Sequence, residues 1–150
     1  MIYLDSSALV KLVREEQETG ALLTWLDERP GEPQVTSQLA RTEVARALRR
    51  VAHDERDSDE RDGRDSEQVL AELLAGGDAV VAGVDQLTVL EDLLDEAGAI
   101  AAPTLRTLDA IHLASARTLR PAAVAFVTYD ARLAAAARDA GFAVAAPGRP

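Results

Sequence analysis

The 150-residue chain contains no cysteine. Disulfides, thiolate metal sites and cysteine nucleophiles are thereby excluded, and a reducing cytoplasm is the expected location. Aromatic residues are scarce, 3% against 47% hydrophobic residues overall, so the core has to be assembled from Ala, Leu and Val. No run approaches the ~18 apolar residues of a membrane span. Asp5 also breaks the first apolar run before the core of a signal peptide could form, so neither a membrane partner nor secretion is expected. Cations are few: Lys11 is the single lysine, and 16 Lys and Arg stand against 26 Asp and Glu. A formal net charge of −10 argues against a general polyanion binder.

The acids are unevenly spread. Residues 54–67 hold eight of them against three arginines, a net −5, with no aliphatic residue. This stretch reads as a mobile, solvated insertion or a frayed helical extension within one domain covering residues 1–150. Around it, strand and helix patterns alternate. Ile2-Tyr3-Leu4 is a short buried strand that stops on Asp5, and Ser6 or Ser7 can cap a helix over 8–16. Helical patterns follow over 18–29, 38–53 and 66–74, the last ended by Gly76-Gly77. Residues 34–37, 79–84, 124–128 and 142–145 read as strands. Asp85 reads as the cap of a helix reaching Gly98, Thr107 as the cap of one reaching Leu119, and Asp130 as the cap of one over 131–140. Such alternation implies parallel β-α-β connections and a sheet covered on both faces.

Four carboxylates stand out by position. Asp5 ends the first strand, where open α/β sheets bind their ligands, although capping alone would also explain it. Glu43 shares a helix face with Ala40 and Ala47, three residues before and four after, so it should lean inward. Asp109 occupies the first turn of a helix that is apolar nearly all round, so its end of that helix should lie inside the molecule. Its structural reason is the helix dipole. Asp130 follows the strand at 124–128, with capping as its structural reason. Brought together, such groups repel, and each pKa rises. A divalent cation removes the conflict, and oxygen ligands without His or Cys select Mg²⁺ or Mn²⁺ over zinc. A site of that kind polarises a phosphate and activates a water, which points to phosphodiester or phosphomonoester hydrolysis.

Other residues carry two readings each. His112, three residues beyond Asp109, could ligate a metal, but a packed helix is its simpler setting. Arg41, Arg46, Arg49 and Arg50 could meet RNA phosphates or pair with nearby acids. Leu22, Leu23, Trp25 and Leu26 form a stripe that reads as core, part of which could seat a partner helix.

The segments that carry these acids share a pattern. Tyr3-Leu4-Asp5-Ser6-Ser7-Ala8-Leu9-Val10-Lys11, then Thr42-Glu43-Val44, then Leu105-Arg106-Thr107-Leu108-Asp109-Ala110-Ile111-His112-Leu113-Ala114, then Phe126-Val127-Thr128-Tyr129-Asp130 with Arg132-Leu133 and Gly141, resemble a PIN-domain ribonuclease. The likeness is greatest to VapC-type toxins of bacterial toxin–antitoxin pairs. It implies an α/β fold, a three-layer α/β/α sandwich around a mainly parallel sheet, and a Mg²⁺- or Mn²⁺-dependent endoribonuclease. Asp5, Glu43, Asp109 and Asp130 would be the acidic quartet, binding metal directly or through water. Ser7 and Thr128 match small hydroxyl positions that orient acids or waters. The resemblance also implies an RNA substrate, a cognate antitoxin protein and a homodimer. The acidic segment at 54–67 is not part of the family pattern.

Two readings from other classes compete. A haloacid-dehalogenase-type phosphatase also begins with a strand ending in aspartate. It needs a second aspartate two residues on, where Ser7 stands, and a distant lysine, whereas Lys11 lies in the first helix. A PIN-like fold kept as a non-catalytic protein-binding module would retain the same acids to receive an arginine.

Overall fold

Three consecutive apolar residues, Ile2–Leu4, form strand β1, and every one of them is fully buried, as a central parallel strand requires. The computed structural model describes residues 1–57, 66–123 and 125–149. Beside β1 lie β2 (Gln34–Ser37), β3 (Asp85–Leu87), β4 (Ala125–Val127) and β5 (Val144–Ala145), in the spatial order β3-β2-β1-β4-β5. Every pairing is parallel; Ile2 faces Gln34 on one side and Ala125 on the other. The helices are α1 (Ser6–Val13), α2 (Thr19–Asp27), α3 (Ala40–Asp57), α4 (Ser66–Ala82), α5 (Glu91–Gly98), α6 (Thr107–Thr118) and α7 (Ala131–Asp139).

Alternation along β1 builds two cores. Ile2 and Leu4 pack on one face with Leu9, Leu22, Val44, Leu48 and Val81, while Tyr3 packs on the other with Leu113, Phe126, Leu133 and Phe142. Helices therefore cover both faces, and the architecture is the expected three-layer α/β/α sandwich around a parallel sheet. Chain order reverses between β1 and β4, so their carboxyl ends flank the crevice of a doubly wound sheet. Among the described residues no helix is long and apolar enough to cross a membrane.

Several local expectations change. The helix at 66–74 does not stop at Gly76-Gly77; α4 runs on to Ala82, and residues 79–82 of the strand expected at 79–84 are its last turn. Gly77 is there for close approach: a Cβ at that position would stand 2.7 Å from Leu48 Cδ1 and 3.3 Å from Val44 Cγ1 on α3. The strand instead falls on Asp85–Leu87, so Asp85 is not a cap, and α5 begins only at Glu91. Asp5, not Ser6 or Ser7, caps α1, and Arg106 rather than Thr107 occupies the cap position of α6. Along α3 the most buried positions are Ala40, Val44, Leu48 and Ala52. That helix continues to Asp57, so the start of the acidic stretch is helical, while its centre, 58–65, lies outside the described residues, as does Val124 of the fourth strand. Of the α2 stripe, Leu22 and Leu26 are core, Trp25 is half-buried under the Arg29 guanidinium, and Leu23 remains exposed.

Candidate active site

Asp5 leaves the carboxyl end of β1 and is 4% exposed. Three donors converge on it. Oδ1 accepts from Ser7 Oγ at 2.6 Å and from the Ala8 amide at 3.0 Å, and Oδ2 accepts from Thr128 Oγ1 at 2.6 Å. Both hydroxyls reach onward: Ser7 Oγ accepts from the Tyr129 amide at 2.8 Å, and Thr128 Oγ1 from the Asp130 amide at 3.1 Å. The two strand ends at the switch point are thus stitched together through one carboxylate. Burial still pushes the Asp5 carboxyl above its ordinary value, against the pull of Ser7, Thr128, His112 and the Ala8 amide.

Glu43 does lean inward, from the first turn of α3. Its Oε2 accepts from Ser6 Oγ at 2.5 Å and meets His112 Nε2 at 2.6 Å, while Oε1 has no hydrogen-bond partner among the described residues. Burial raises the Glu43 pKa, but the hydrogen bond and charge of His112 and the Ser6 hydroxyl outweigh it, and the net direction is down. His112 is 2% exposed, and both of its ring nitrogens are engaged, Nδ1 with the Tyr3 hydroxyl at 2.7 Å. It is therefore a buried partner of Glu43 in this arrangement, in keeping with the packed-helix reading.

Asp109 and Asp130 face the same cavity from α6 and α7. Asp130 caps α7, its Oδ1 accepting from the Arg132 and Leu133 amides at 2.8 and 3.0 Å. Against the upward push of burial, these amides and the nearby Arg132 and Arg106 hold its carboxyl below the usual range. Asp109 goes the other way, raised by burial and then by the charge of Asp130. Its Oδ2 is buried without a hydrogen-bond partner. The first turn of α6 lies at the cavity rim rather than deep inside, with Leu108 exposed.

Asp5, Ser7, Glu43, Asp109 and Asp130 all line one cavity of about 830 Å³, and Thr128 lies directly beneath Asp5. The sequence brings these residues from four elements to the carboxyl side of the sheet. One physical premise needs correction: the protein itself satisfies Asp5 and Glu43, so only Asp109 has another carboxylate among the causes of its shift. Among the described residues no three Asp, Glu, His or Cys side chains stand close enough to enclose an ion unaided. A hard cation still suits the set. Mg²⁺ takes one or two carboxylates directly and reaches others through its waters, and the unpartnered Asp109 Oδ2 is a donor of the required kind.

Sequence reasoning did not find the Tyr3–His112–Glu43–Ser6 connection or the cationic rim. There Lys11 pairs with Glu16 and Glu18 above Tyr129, and Arg149 reaches Glu18 Oε1 at 3.3 Å. The spacing of His112 three residues after Asp109 was the one signal for the former; nothing local signalled the latter.

Carboxylates gathered at the switch point of a doubly wound sheet, with no thiol among them, define an α/β protein whose crevice suits hydrolytic chemistry on oxyanions. Comparison with known proteins makes the class specific. The PIN domain description matches residues 2–139, and the chain belongs to the PIN-domain family. It is 40% identical over 151 residues to ribonuclease VapC35 of Mycobacterium tuberculosis, covering 99% of this chain and 98% of that protein. To ribonuclease VapC46 of the same species it is 44% identical over 146 residues, 97% of each chain. The crystal structure of Mycobacterium tuberculosis VapC20, described as a Sarcin-Ricin loop cleaving toxin, matches with a TM-score of 0.65 at 18% identity. That match covers 95% of this chain and 96% of the other and carries the fold. The family match sets aside the phosphatase reading.

Proposed function

We propose that this protein is a Mg²⁺- or Mn²⁺-dependent endoribonuclease, the toxin of a VapBC-type toxin–antitoxin pair, acting in the cytoplasm. One observation carries the reading. Carboxylates from four separate elements line one crevice, and one of them, Asp109, keeps a buried oxygen without a partner. The full-length mycobacterial relatives, named ribonucleases, support the substrate class.

Asp5, Glu43, Asp109 and Asp130 would hold the ion directly or through water. Bound there, it would polarise the phosphate and lower the pKa of an attacking water. The chain's own residues prepare the rest. Ser7 and Thr128 fix Asp5 from two sides. Asp109, raised by burial and by the charge of Asp130, is an acid whose ionisation a nearby cation would favour. Arg46 and Arg50, one turn apart on α3, line the cavity and form no ion pair among the described residues, leaving both for RNA phosphates. Attack by water on phosphorus leaves 5′-phosphate and 3′-hydroxyl ends. A cognate antitoxin would place a basic residue among the acids, and the protein would act as a homodimer.

The test is RNA cleavage with Mg²⁺, with EDTA, and with Asp5→Asn or Asp109→Asn. Cleavage should vanish in EDTA, return with Mn²⁺, and be absent in both folded variants. Cleavage that ignores EDTA, or survives either substitution, refutes the assignment, and a folded protein that cuts no RNA favours the binding-module reading. Asp109→Asn should leave the metal-free melting temperature no lower, because burial and Asp130 both oppose that charge. A clear fall would make the helix dipole its main role.

A further inference from the structure

Glu43 is the one member of the quartet whose carboxylate is gripped by side chains alone. A carboxylate can only accept, so His112 Nε2 at 2.6 Å must carry its proton and donate. Its other ring nitrogen, Nδ1, lies 2.7 Å from the Tyr3 hydroxyl, a group able to donate or accept. Tyr3 is fully buried in β1, its ring tilted against Phe126 with centroids 4.9 Å apart. Ser6 Oγ, 2.5 Å from the same Glu43 oxygen and 3.2 Å from Nε2, closes the cluster. The chain Tyr3–His112–Glu43 thus runs from the sheet interior to the cavity through two short hydrogen bonds.

The elements it joins are those that carry the other acids. Tyr3 lies in β1 two residues before Asp5, and Ser6 follows Asp5 directly. His112 lies one helical turn beyond Asp109 on α6, on the same face. A carboxylate on a flexible side chain has two oxygens and several rotamers, and a hydrogen-bonded partner shell of this kind selects one arrangement. We propose that Tyr3, Ser6 and His112 form a positioning relay that pins Glu43 Oε2 and reserves Oε1 for the divalent ion. His112 is on this account a positioning residue, acting through Glu43. The inference rests on the metal-dependent reading of the site and adds to it the residues that set one ligand's geometry.

Two amide substitutions separate positioning from packing. Gln at 112 carries its amide nitrogen to about the place of Nε2 and can donate to Glu43. Asn is one methylene shorter; it can meet Tyr3 but not Glu43. Both place a neutral amide at the same buried position. Mn²⁺ binding to the RNA-free protein, measured by calorimetry, is the primary readout, with kcat and KM for RNA alongside it. His112→Asn should weaken Mn²⁺ binding and kcat by about 10–100-fold, the usual effect of losing a partner of a metal ligand, while KM stays unchanged. His112→Gln should recover most of both losses. Tyr3→Phe, which keeps the ring in its packing and removes only the hydroxyl that meets Nδ1, should shift Mn²⁺ affinity in the same direction. If His112→Asn does not fold, Tyr3→Phe decides alone. Equal behaviour of the Asn and Gln variants, a loss confined to KM or to melting temperature, or a Tyr3→Phe protein with parental Mn²⁺ affinity overturns the relay. A parent that binds no Mn²⁺ overturns the metal reading itself, and the relay with it.

Discussion

Thr128→Val tests how the crevice is held together before any chemistry occurs. Valine is close to threonine in shape and removes only the hydroxyl, which donates to Asp5 Oδ2 at 2.6 Å and accepts the Asp130 amide at 3.1 Å. Thr128 is 1% exposed and Asp5 4%, so water does not readily replace what is lost. A hydrogen bond to a charged group contributes about 1.5–3 kcal/mol, and a buried donor left unsatisfied costs about 1–3 kcal/mol. Because the Asp130 amide is only partly enclosed, its share falls at the low end, and the expected destabilisation is about 2–4 kcal/mol in EDTA at neutral pH. For a chain of this size that lowers the melting temperature by roughly 5–15 °C. The loss should also depend on pH. The folded Asp5 pKa already lies above its ordinary value through burial, and losing a donor raises it further. A raised carboxyl pKa means that the folded state binds the proton more readily, so its penalty is greatest above the folded pKa and fades as pH falls through it. The gap between variant and parent should therefore narrow in mildly acidic buffer. Thermal unfolding followed by circular dichroism at the two pH values decides it. A variant within a degree or two of the parent at neutral pH, or a gap that widens on acidification, refutes the reasoning.

Glycine replacements check the packing that carries Glu43. Gly77→Ala should destabilise by up to about 2 kcal/mol, because its Cβ meets Leu48 Cδ1 at 2.7 Å and overpacking exceeds the ~1 kcal/mol gain in helix propensity. Gly20→Ala in α2, with nothing within 4 Å, should instead stabilise by up to about 1 kcal/mol. Equal shifts in denaturant midpoint would refute the close α3–α4 approach. For the proposed homodimer, light scattering at micromolar concentration should give twice the chain mass of 16.0 kDa. A monomer alone would count against it.

Much of the fold could be read because period and burial agreed. Ile2–Leu4 and Ala125–Val127 are short apolar runs of the kind buried parallel strands produce, and α3 follows a clear 3.6-residue spacing. Where they disagreed, reading failed. Residues 79–82 are as apolar as a strand, and a Gly-Gly pair ahead of them resembles a stop. Only the partner helix reveals that the glycine is needed for contact rather than for a turn. Asp85–Leu87 went unrecognised because an edge strand with exposed Asp85 and Gln86 carries almost no hydrophobic signal. At the site, position along the chain was enough to single out four acids that line one cavity. The partners of Glu43 were not, since Tyr3 and His112 come together from 109 residues apart.

Capping and chemistry looked like rival explanations for these acids when each was considered alone, and the fold makes them one explanation. Asp5 caps α1, Asp130 caps α7, and Glu43 and Asp109 occupy the first turns of α3 and α6. A doubly wound parallel sheet returns each helix from the carboxyl end of a strand, so helix N-termini gather where the switch-point crevice opens. Four sets of backbone amides then supply partial positive charge at the place where four carboxylates line one cavity. That is why Asp130 stays readily ionised and Asp5 remains tied to the Ala8 amide although it is buried. It also explains why the residual conflict is concentrated on Asp109. No helix cap holds its Oδ2, and Asp130 is among the causes that raise its pKa. The scaffold thus carries most of the negative charge by itself and leaves one buried oxygen among the described residues, Asp109 Oδ2, without a partner, which is where the proposed ion would relieve the conflict.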